Sequence, residues 1–195
     1  MKLFALMATA LLALAGCAAV SVDDTANLPY FAPDRLLILP QPGDIDRSVE
    51  TSQMITVYHD GDVFAFEGHI SVTSERFYLV GVDGIGRRAM SVTWDKSGKI
   101  MAKRADWLPS AVRPGSMLAD IVLLYWPADV LRPILGKADA TLVDNGNTRS
   151  VMVDGQEIIH VDYLAGGPQA WTGRLHYRNA AWGYEIDVQS VEAAP

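Results

Sequence analysis

Cysteine occurs once in the 195-residue chain, at Cys17, so the protein has no disulfide framework and no cysteine-based metal site. The four histidines are scattered at no spacing that suits a metal ion: His59, His69, His160 and His176. The chain lacks a Gly-x-Ser-x-Gly nucleophile elbow, and the glycines of the 81–86 stretch are wrongly spaced for a dinucleotide fingerprint. We therefore expect no metal, no cofactor and no enzymatic activity.

Positive charge is also scarce. The chain has 16 lysines and arginines against 23 aspartates and glutamates, and its formal net charge is −7. An acidic domain is a poor partner for nucleic acid, because phosphates select basic surfaces. The apolar run Leu3–Leu14 is too short to cross a bilayer, which takes about 20 residues. Composition thus argues against a nucleic-acid partner and against a membrane-spanning N-terminal helix.

The N-terminus has the pattern of a secretion signal. Lys2 supplies one positive charge, the apolar run follows, and small residues end it. The sequence Leu14–Cys17 (Leu-Ala-Gly-Cys) resembles the bacterial lipobox, which implies cleavage before Cys17, a diacylglyceryl group on its sulfur and a palmitate-type acyl chain on its new amino group. We predict a signal peptide over residues 1–16. Ala18, in place of an aspartate, favours anchoring on the periplasmic face of the outer membrane. A plain signal peptide with a chance cysteine is the alternative.

The segment after Cys17 has no regular pattern, because aspartate, asparagine and proline interrupt it up to Pro33. We predict that residues 17–34 comprise the lipidated cysteine and a flexible tether. The remaining residues, 35–195, have the length of one ordinary domain. With no disulfide available, this domain must rest on its hydrophobic core. We expect it to be a monomer.

Alternating apolar and polar residues, joined by short Gly/Asp turns, predict an antiparallel strand meander. The clearest alternation lies over residues 63–73, and further strands are predicted over 77–82 and 89–94. Leu36–Leu39 is a possible first strand. After residue 137 the strand pattern returns, over these segments: 141–143, 150–153, 157–164, 171–178 and 182–188.

Between the two sets of strands lies a segment that is apolar on nearly all sides, residues 117–126. Ser116 is a suitable N-cap and Asp120 lies in the first turns, so we predict a helix that is buried on most sides. Residues 127–135 are predicted to form a second short helix. The order of elements predicts a mainly β (α+β) fold, in which two short helices cover the concave face of a strongly curved antiparallel sheet. A β-sandwich is the alternative.

Two stretches carry a family resemblance. The run 77–88 (Phe-Tyr-Leu-Val-Gly-Val-Asp-Gly-Ile-Gly-Arg-Arg) and the segment 120–136, with its Trp126-Pro127, resemble the outer-membrane lipoprotein receptor LolB. The chain resembles more closely a family of uncharacterised bacterial lipoproteins of LolA/LolB-like fold, which often occur beside aryl-polyene biosynthesis genes. The resemblance implies an unclosed β-barrel, a helical lid inserted mid-chain and an apolar cavity that holds acyl chains.

The resemblance also implies a hairpin whose tip carries one exposed apolar residue for membrane contact. Ile85, between two glycines, matches that residue, and Arg87 and Arg88 follow it. Asp83-Gly84 stands where the receptor has a proline. An exposed isoleucine beside two cations suits a lipid surface. The alternative is that Ile85 folds back onto the sheet.

Aromatic and aliphatic side chains on the strands and the first helix are candidates for the lining of the cavity. They are Phe64, Phe66, Met90, Val92, Trp94, Met117, Ile121, Leu124, Tyr163, Trp171 and Tyr184. Ligand pockets are mostly apolar, and methionines suit an adaptable lining. The same residues are equally suited to an ordinary packed core.

The sequence therefore favours a non-enzymatic lipoprotein anchored in the outer membrane. We expect it to bind acyl or polyene-type lipid, or a lipidated client, in an apolar cavity and to assist its transfer or insertion into that membrane. Burial of the apolar chain would drive binding, at about 25 cal/mol per Å². A structural or assembly lipoprotein with a solid core and a protein partner is the second hypothesis, and an enzyme is the third.

Overall fold

The computed structural model describes residues 24–109 and 112–192. The expected signal peptide and the expected lipidation site at Cys17 lie outside the described residues. In chain order the elements are a 3-10 helix Asp24–Asn27, β1 Tyr30–Ala32, β2 Arg35–Leu36, a 3-10 helix Pro42–Ile45, β3 Val49–His59, β4 Asp62–Val72, β5 Arg76–Val82, β6 Arg88–Asp95, β7 Ile100–Arg104, α1 Pro114–Tyr125, α2 Ala128–Gly136, β8 Ala140–Asp144, β9 Thr148–Val153, β10 Gln156–Ala165, β11 Gly173–Asn179 and β12 Tyr184–Glu192.

Ten strands form one antiparallel sheet in the order β7-β6-β5-β4-β3-β12-β11-β10-β9-β8. Strands β3 to β7 make one meander and β8 to β12 make another, and the two meanders join where β3 pairs with β12. Within the described residues β7 and β8 are the edges, so the sheet is not closed into a barrel. The predicted mainly β fold, an open antiparallel sheet with two helices, is confirmed. The sandwich alternative is wrong, because all ten strands belong to one sheet.

The two helices connect the two edges of the sheet, and α1 lies across its inner face. A flat sheet of ten strands would be about 43 Å wide, at about 4.8 Å between strands, whereas a helix is only about 10 Å thick. Yet α1 packs beside β6 and β7 and also bonds to side chains of β3, β9, β11 and β12. The sheet must therefore curve around α1, and its inner face is concave.

The bounds of α1 follow from its two flanking prolines. Pro114 opens the helix, where its fixed φ suits the first turn and its missing N–H needs no partner. Arg113 is the N-cap residue, whereas Ser116, predicted as the cap, is buried in the first turn. The helix stops where Trp126 precedes Pro127 and adopts extended backbone, with φ −73° and ψ 150°.

The sequence pattern does not predict β3, although this strand lies at the centre of the sheet, or β7 at its edge. The inward-facing positions of β3 include Thr51 and Gln53, while Met54 and Tyr58 face solvent on the outer side. Apolar and polar residues therefore do not alternate as they do in a half-buried strand. The inward polar groups are satisfied by partners from other elements; Gln53 Nε2, for example, donates to Tyr125 Oη at 2.8 Å.

Residues 24–45, which we call the strap, cross α1 before the chain enters β3. Phe31 and Leu37 of the strap are fully buried. The segment 24–34 therefore packs on the domain, in contrast to the expected flexible tether, because its apolar residues cover α1. Of the predicted strand Leu36–Leu39, only the first residue is paired, as part of β2 against β1.

The strap meets α1 backbone to backbone at Gly115. A Cβ atom at this position would lie 2.4 Å from Asn27 C and from Leu28 O. No side chain fits there, so glycine is required by the close approach of the two segments.

Candidate functional site

The concave face of the sheet is filled by α1. Every residue of the helix except Met117 is buried, and aromatic rings pack closely around its C-terminal end. Trp94 and Trp126 lie with ring centroids 5.7 Å apart. Tyr125 stacks on Trp171 at 4.2 Å, and Trp171 adopts the left-handed backbone region with φ 56°, which is rare for a bulky residue. The packing here is that of a protein interior.

α1 carries one acidic residue, Asp120, and its carboxyl group is buried in the concave face. Tyr177 Oη donates to Asp120 Oδ1 at 2.5 Å, and Tyr184 Oη donates to Oδ2. Asn179 Nδ2 donates to Tyr177 Oη at 3.2 Å and to the backbone oxygen of Phe31 at 3.0 Å. Burial raises the pKa of Asp120 to about 7, although the tyrosine hydrogen bonds oppose the rise. This cluster joins α1 to β11, β12 and the strap.

The C-terminal end of α1 is held by two side chains of the sheet, Arg149 on β9 and Tyr163 on β10. Arg149 Nη1 donates to the backbone oxygens of Leu123 at 2.7 Å, Leu124 at 3.3 Å and Trp126 at 3.0 Å. Tyr163 Oη donates to the same oxygen of Leu124 at 2.6 Å. These carbonyls are the ones that the end of a helix leaves without intrahelical partners.

Arg149 is 2% exposed, and its charge is balanced by Asp144. Its Nε and Nη2 atoms lie 2.9 Å and 2.6 Å from Asp144 Oδ2. Burial acts to raise the pKa of Asp144, but a backbone hydrogen bond from Gly146 and the Arg149 guanidinium outweigh it and hold that pKa below its ordinary value. Burial also raises the pKa of Tyr163, so its hydroxyl stays protonated and remains a donor.

The residues proposed as cavity lining fall into three groups in the structure. The largest group is buried in the packed interior: Met90, Val92, Trp94, Ile121, Leu124, Tyr163 and Trp171. The second group is partly buried and comprises Met117, Tyr184 and Phe66. The third group is Phe64 alone, which lies on the same face of β4 as Phe66 and is 38% exposed near the end of the sheet. The members on α1 occupy the space that the members on the sheet enclose.

Little open space lies between α1 and the sheet. A cavity of about 10 Å³ lies beside Tyr125, Tyr163 and Ser190, which is room for about one water molecule. A larger pocket, of about 370 Å³, opens at the end of the sheet between the β3–β4 and β11–β12 hairpins, where its lining includes His59 and Arg178. An acyl chain on the part of the concave face that α1 covers would therefore have to take the place of the helix.

The β5–β6 hairpin places Ile85 at its tip, where the side chain is 79% exposed and does not fold back onto the sheet. Asp83 shapes the turn: Oδ1 accepts the backbone N–H groups of Ile85 at 3.1 Å and Arg87 at 2.8 Å. Arg87 lies over the ring of Trp107, itself 49% exposed, with Cζ 4.9 Å from the centroid. Arg88 is exposed at the start of β6. None of the helices that the structure describes is long and apolar enough to cross a membrane.

The outer face of the sheet is polar and carries histidines beside carboxylates. His176 Nδ1 lies 2.8 Å from Asp187 Oδ1, and His160 Nδ1 lies 3.0 Å from Glu157 Oε2. The hydrogen bond with His176 lowers the pKa of Asp187. Over residues 24–109 and 112–192, no three histidine, cysteine, aspartate or glutamate side chains are grouped so that they could hold a metal ion. The contacts on this face are pairs and small networks on the surface of the sheet.

Sequence reasoning misses the two charged residues that hold α1. Asp120 is expected in the helix but not in a buried cluster, and the signal for it is that it stands alone among apolar residues on every side. Arg149 alternates in phase with Val151 and Val153, which places it on the inner face of β9. An arginine in phase with apolar strand residues is therefore the signal that could have found it.

Comparison with known proteins places the chain in a family. A family described as "Protein of unknown function (DUF3261)" matches residues 50–192. No curated protein matches the chain. Among solved structures, the chain is similar to a DUF1329 family protein from Desulfovibrio piger ATCC 29098, with 6% sequence identity and a TM-score of 0.35, over 77% of this chain and 87% of that one. Because the family match spans the ten-stranded sheet and both helices, the chain belongs to the DUF3261 family of proteins of unknown function.

Proposed function

We propose that the protein is a lipoprotein, held on the outer membrane through Cys17, whose curved sheet binds an acyl or polyene-type lipid, or the acyl chains of a lipidated client, and assists transfer into that membrane. The observation that carries the proposal is the position of α1. An apolar helix of 12 residues, about 18 Å long, is enclosed in the concave face of an open sheet. An acyl chain is the ligand whose length and chemistry can take the place of such a helix.

The topology supports an exchange of α1 for a ligand. The helices bridge the edges β7 and β8, so they can move away from the concave face without breaking any strand pairing of the sheet. The apolar surface that α1 now covers, on residues such as Met90, Trp94 and Trp171, would be covered again by the ligand. Burial of the ligand's own apolar surface, at about 25 cal/mol per Å², would offset the exposure of the apolar side chains of α1.

The hairpin tip supports contact with a lipid surface. Ile85 is the most exposed large apolar residue of the part of the chain that the structure describes, and the guanidinium of Arg87 lies over the amphipathic ring of Trp107. Side chains of this kind, an aliphatic residue with an indole and a cation, favour the interface of a bilayer. In the proposal, the tip brings this side of the domain to the membrane that receives the ligand.

The close packing of the interior favours a second candidate function. The stacked and edge-packed aromatic rings around Trp126 are what a permanent core requires. In that case the protein is an assembly lipoprotein that acts through a protein partner, and α1 never leaves. The two candidates differ in one property, which is whether an acyl chain reaches the inner face of the sheet.

Photolabelling tests the proposal. The full chain, made in a Gram-negative host and reconstituted in nanodiscs, is irradiated with a long-chain fatty acid that carries a diazirine at mid-chain, and the labelled residues are mapped by mass spectrometry. We expect saturable labels on inner-face residues such as Trp94 and Trp171. The double substitution Tyr177→Phe, Tyr184→Phe removes the hydroxyl groups that hold Asp120, so it should increase this labelling. The control is Tyr58→Phe, which removes a hydroxyl bonded to Asp187 on the outer face.

Labels confined to the tip around Ile85, with none on the inner face in either variant, would overturn the carrier function and favour the assembly lipoprotein. The anchor is tested separately in living cells. Incorporation of an alkyne-tagged palmitate should occur in the unaltered chain and be absent from Cys17→Ala.

A further inference from the structure

The donors that hold the C-terminal end of α1 point to a second role for the same side chains. Arg149 Nη1 and Tyr163 Oη converge on one backbone oxygen, that of Leu124, at 3.3 Å and 2.6 Å. The two side chains are neighbours on the inner face, because Arg149 on β9 pairs with Val161 on β10, two residues before Tyr163. They form a fixed pair of donors at one end of an otherwise largely apolar face.

The acceptors that Arg149 Nη1 and Tyr163 Oη use are backbone oxygens of α1 and of the residue that follows it. Every acceptor of Arg149 Nη1 is a carbonyl at the end of α1 or directly after it, and the hydrogen bond to Leu124 O is the contact that Tyr163 Oη makes. The other polar groups of the concave face differ from this pair, because they keep a partner on the sheet or lie beside open space. Gln53 Nε2 keeps its bond to Ser190 Oγ at 3.0 Å. The Tyr177 and Tyr184 hydroxyls lose Asp120 as their acceptor, but Tyr184 borders the pocket of about 370 Å³ at the end of the sheet.

Departure of α1 therefore leaves a polar deficit at Arg149 and Tyr163. Asp144 keeps Nε and Nη2 of Arg149 and balances its charge, but Nη1 and the Tyr163 hydroxyl would face an apolar groove without acceptors. A buried donor without a partner is costly. A ligand that consists of hydrocarbon alone leaves that cost in place, whereas a ligand with oxygen acceptors at one end removes it.

We propose that Arg149 and Tyr163 form the head-group subsite for the ligand, and that they bind the carbonyl oxygens at the end of its chain, as a carboxylate or as an ester. The proposal rests on the proposed function, since the subsite opens only when α1 leaves. It fixes the direction of the ligand: the head group lies at the β9–β10 side, where α1 now ends, and the apolar chain follows the path of α1 toward its N-terminal end. Bonds from a guanidinium to a carbonyl or carboxylate oxygen are among the stronger hydrogen bonds in proteins.

Two photoreactive probes of equal length separate this subsite from binding in general. One is the diazirine fatty acid, and the other is the matching diazirine alkane, which has no oxygen. Both are applied to the full chain in nanodiscs, and the ratio of acid to alkane labelling is measured at inner-face residues. Loss of Arg149 or Tyr163 also loosens α1, but easier opening raises labelling by both probes alike and cancels in the ratio.

We expect the ratio to fall about fivefold or more in Tyr163→Phe and further in Arg149→Gln, and to stay unchanged in Tyr58→Phe. Tyr163→Phe removes only a hydroxyl, so it keeps the test valid if Arg149→Gln does not fold, which circular dichroism would show. A methyl ester probe distinguishes the two head groups: an equal fall in its ratio assigns the subsite to a carbonyl oxygen, and a fall for the acid alone assigns it to a carboxylate.

Two outcomes would overturn the assignment, and they have different meanings. If both probes label the inner face and the ratio does not change in either variant, the head-group subsite is wrong while the carrier function stands. If neither probe labels the inner face, the carrier function fails and the subsite fails with it.

Discussion

At the scale of single residues, Asp120 makes the docking of α1 sensitive to pH. Its carboxyl is enclosed by Tyr177, Tyr184 and Asn179, with no cation among the groups that bond to it. Burial without a counter-charge disfavours the ionised form, and the tyrosine hydroxyls only partly offset this cost. Ionisation of Asp120 therefore destabilises the interior in which it is packed. The residue lies on the helix whose movement the proposed function requires.

The first prediction concerns stability against pH. The pKa of Asp120 is about 7 in the folded chain and 3.8 as its ordinary value, so the folded state binds the proton more tightly than the unfolded state. The contribution of Asp120 is therefore fully present below about pH 4 and is lost as pH rises to about 7. Asp120→Asn removes this term, so the stability of the unaltered chain relative to the variant should fall over that range by up to a few kcal/mol, at about 1.4 kcal/mol for a pKa difference of one.

Urea unfolding of both proteins at a series of pH values measures the effect. The difference between the two is the informative quantity, because Glu157 and Asp187 have lowered pKa values and act in the opposite sense in both proteins. A difference that stays constant from pH 4 to pH 7 would show that Asp120 is ionised throughout and that the cluster stabilises its charge.

The second prediction at this scale concerns Ile85. Ile85→Asp places a charge at the most exposed apolar position of the hairpin tip, so it should weaken binding of the unlipidated Cys17→Ala chain to vesicles by about tenfold, with no change in thermal stability. Ile38→Asp is the control, since Ile38 is 53% exposed but lies in the strap. Vesicle flotation measures both. Equal effects of the two substitutions would remove the tip from the membrane contact.

At the scale of elements, the strap and α1 depend on each other. Gly115 is the point of closest approach, and its neighbours there are backbone atoms of Asn27 and Leu28 that cannot rotate away. Any side chain at this position must push the strap away from the helix. Phe31, which follows the contact in the strap and is fully buried, would then lose part of its packing. The strap is therefore part of what keeps α1 in the concave face.

The third prediction is that Gly115→Ala destabilises the chain by about 1–3 kcal/mol, as overpacking does, and makes residues 24–45 sensitive to protease. The matched control is Gly136→Ala at the end of α2, where a Cβ atom meets nothing within 4 Å. That change should be neutral or slightly stabilising, since alanine favours helix over glycine. Thermal unfolding and limited proteolysis with mass spectrometry measure both. An intact strap in Gly115→Ala would mean that the two segments separate without cost.

The elements also show how far sequence reasoning reaches. Alternation predicts β4, β6 and β11 because each presents most of its large apolar residues to one side. It fails for β3, where Thr51 and Gln53 point inward to partners on other elements. Composition predicts that α1 is buried, and a glycine turn predicts that Ile85 is exposed. The partners of Asp120 lie 57 and 64 residues away in the chain. The pattern of neighbouring residues cannot predict a contact between residues so far apart in sequence.

At the scale of the whole molecule, the fold separates a continuous part from a removable part. The sheet runs without interruption through the β3–β12 pair, which holds nine consecutive residue pairs from Tyr184 opposite His59 to Glu192 opposite Thr51. The helices and the strap lie on one face of this sheet and contribute no strand to it. Movement of α1 therefore breaks no strand pairing, whereas opening of the sheet would break backbone ladders.

The fourth prediction follows from this separation. In native-state hydrogen exchange, the amides of α1 should open with a lower free energy than the amides of β3 and β12, because a sub-global opening exposes the helix while the ladder stays intact. Tyr177→Phe should lower the opening free energy of α1 by about 1 kcal/mol without changing that of β3. Exchange read by mass spectrometry at low denaturant measures each segment. If α1 and β3 open together at one free energy, the helix leaves only when the whole domain unfolds, and a carrier that opens in the folded state is excluded.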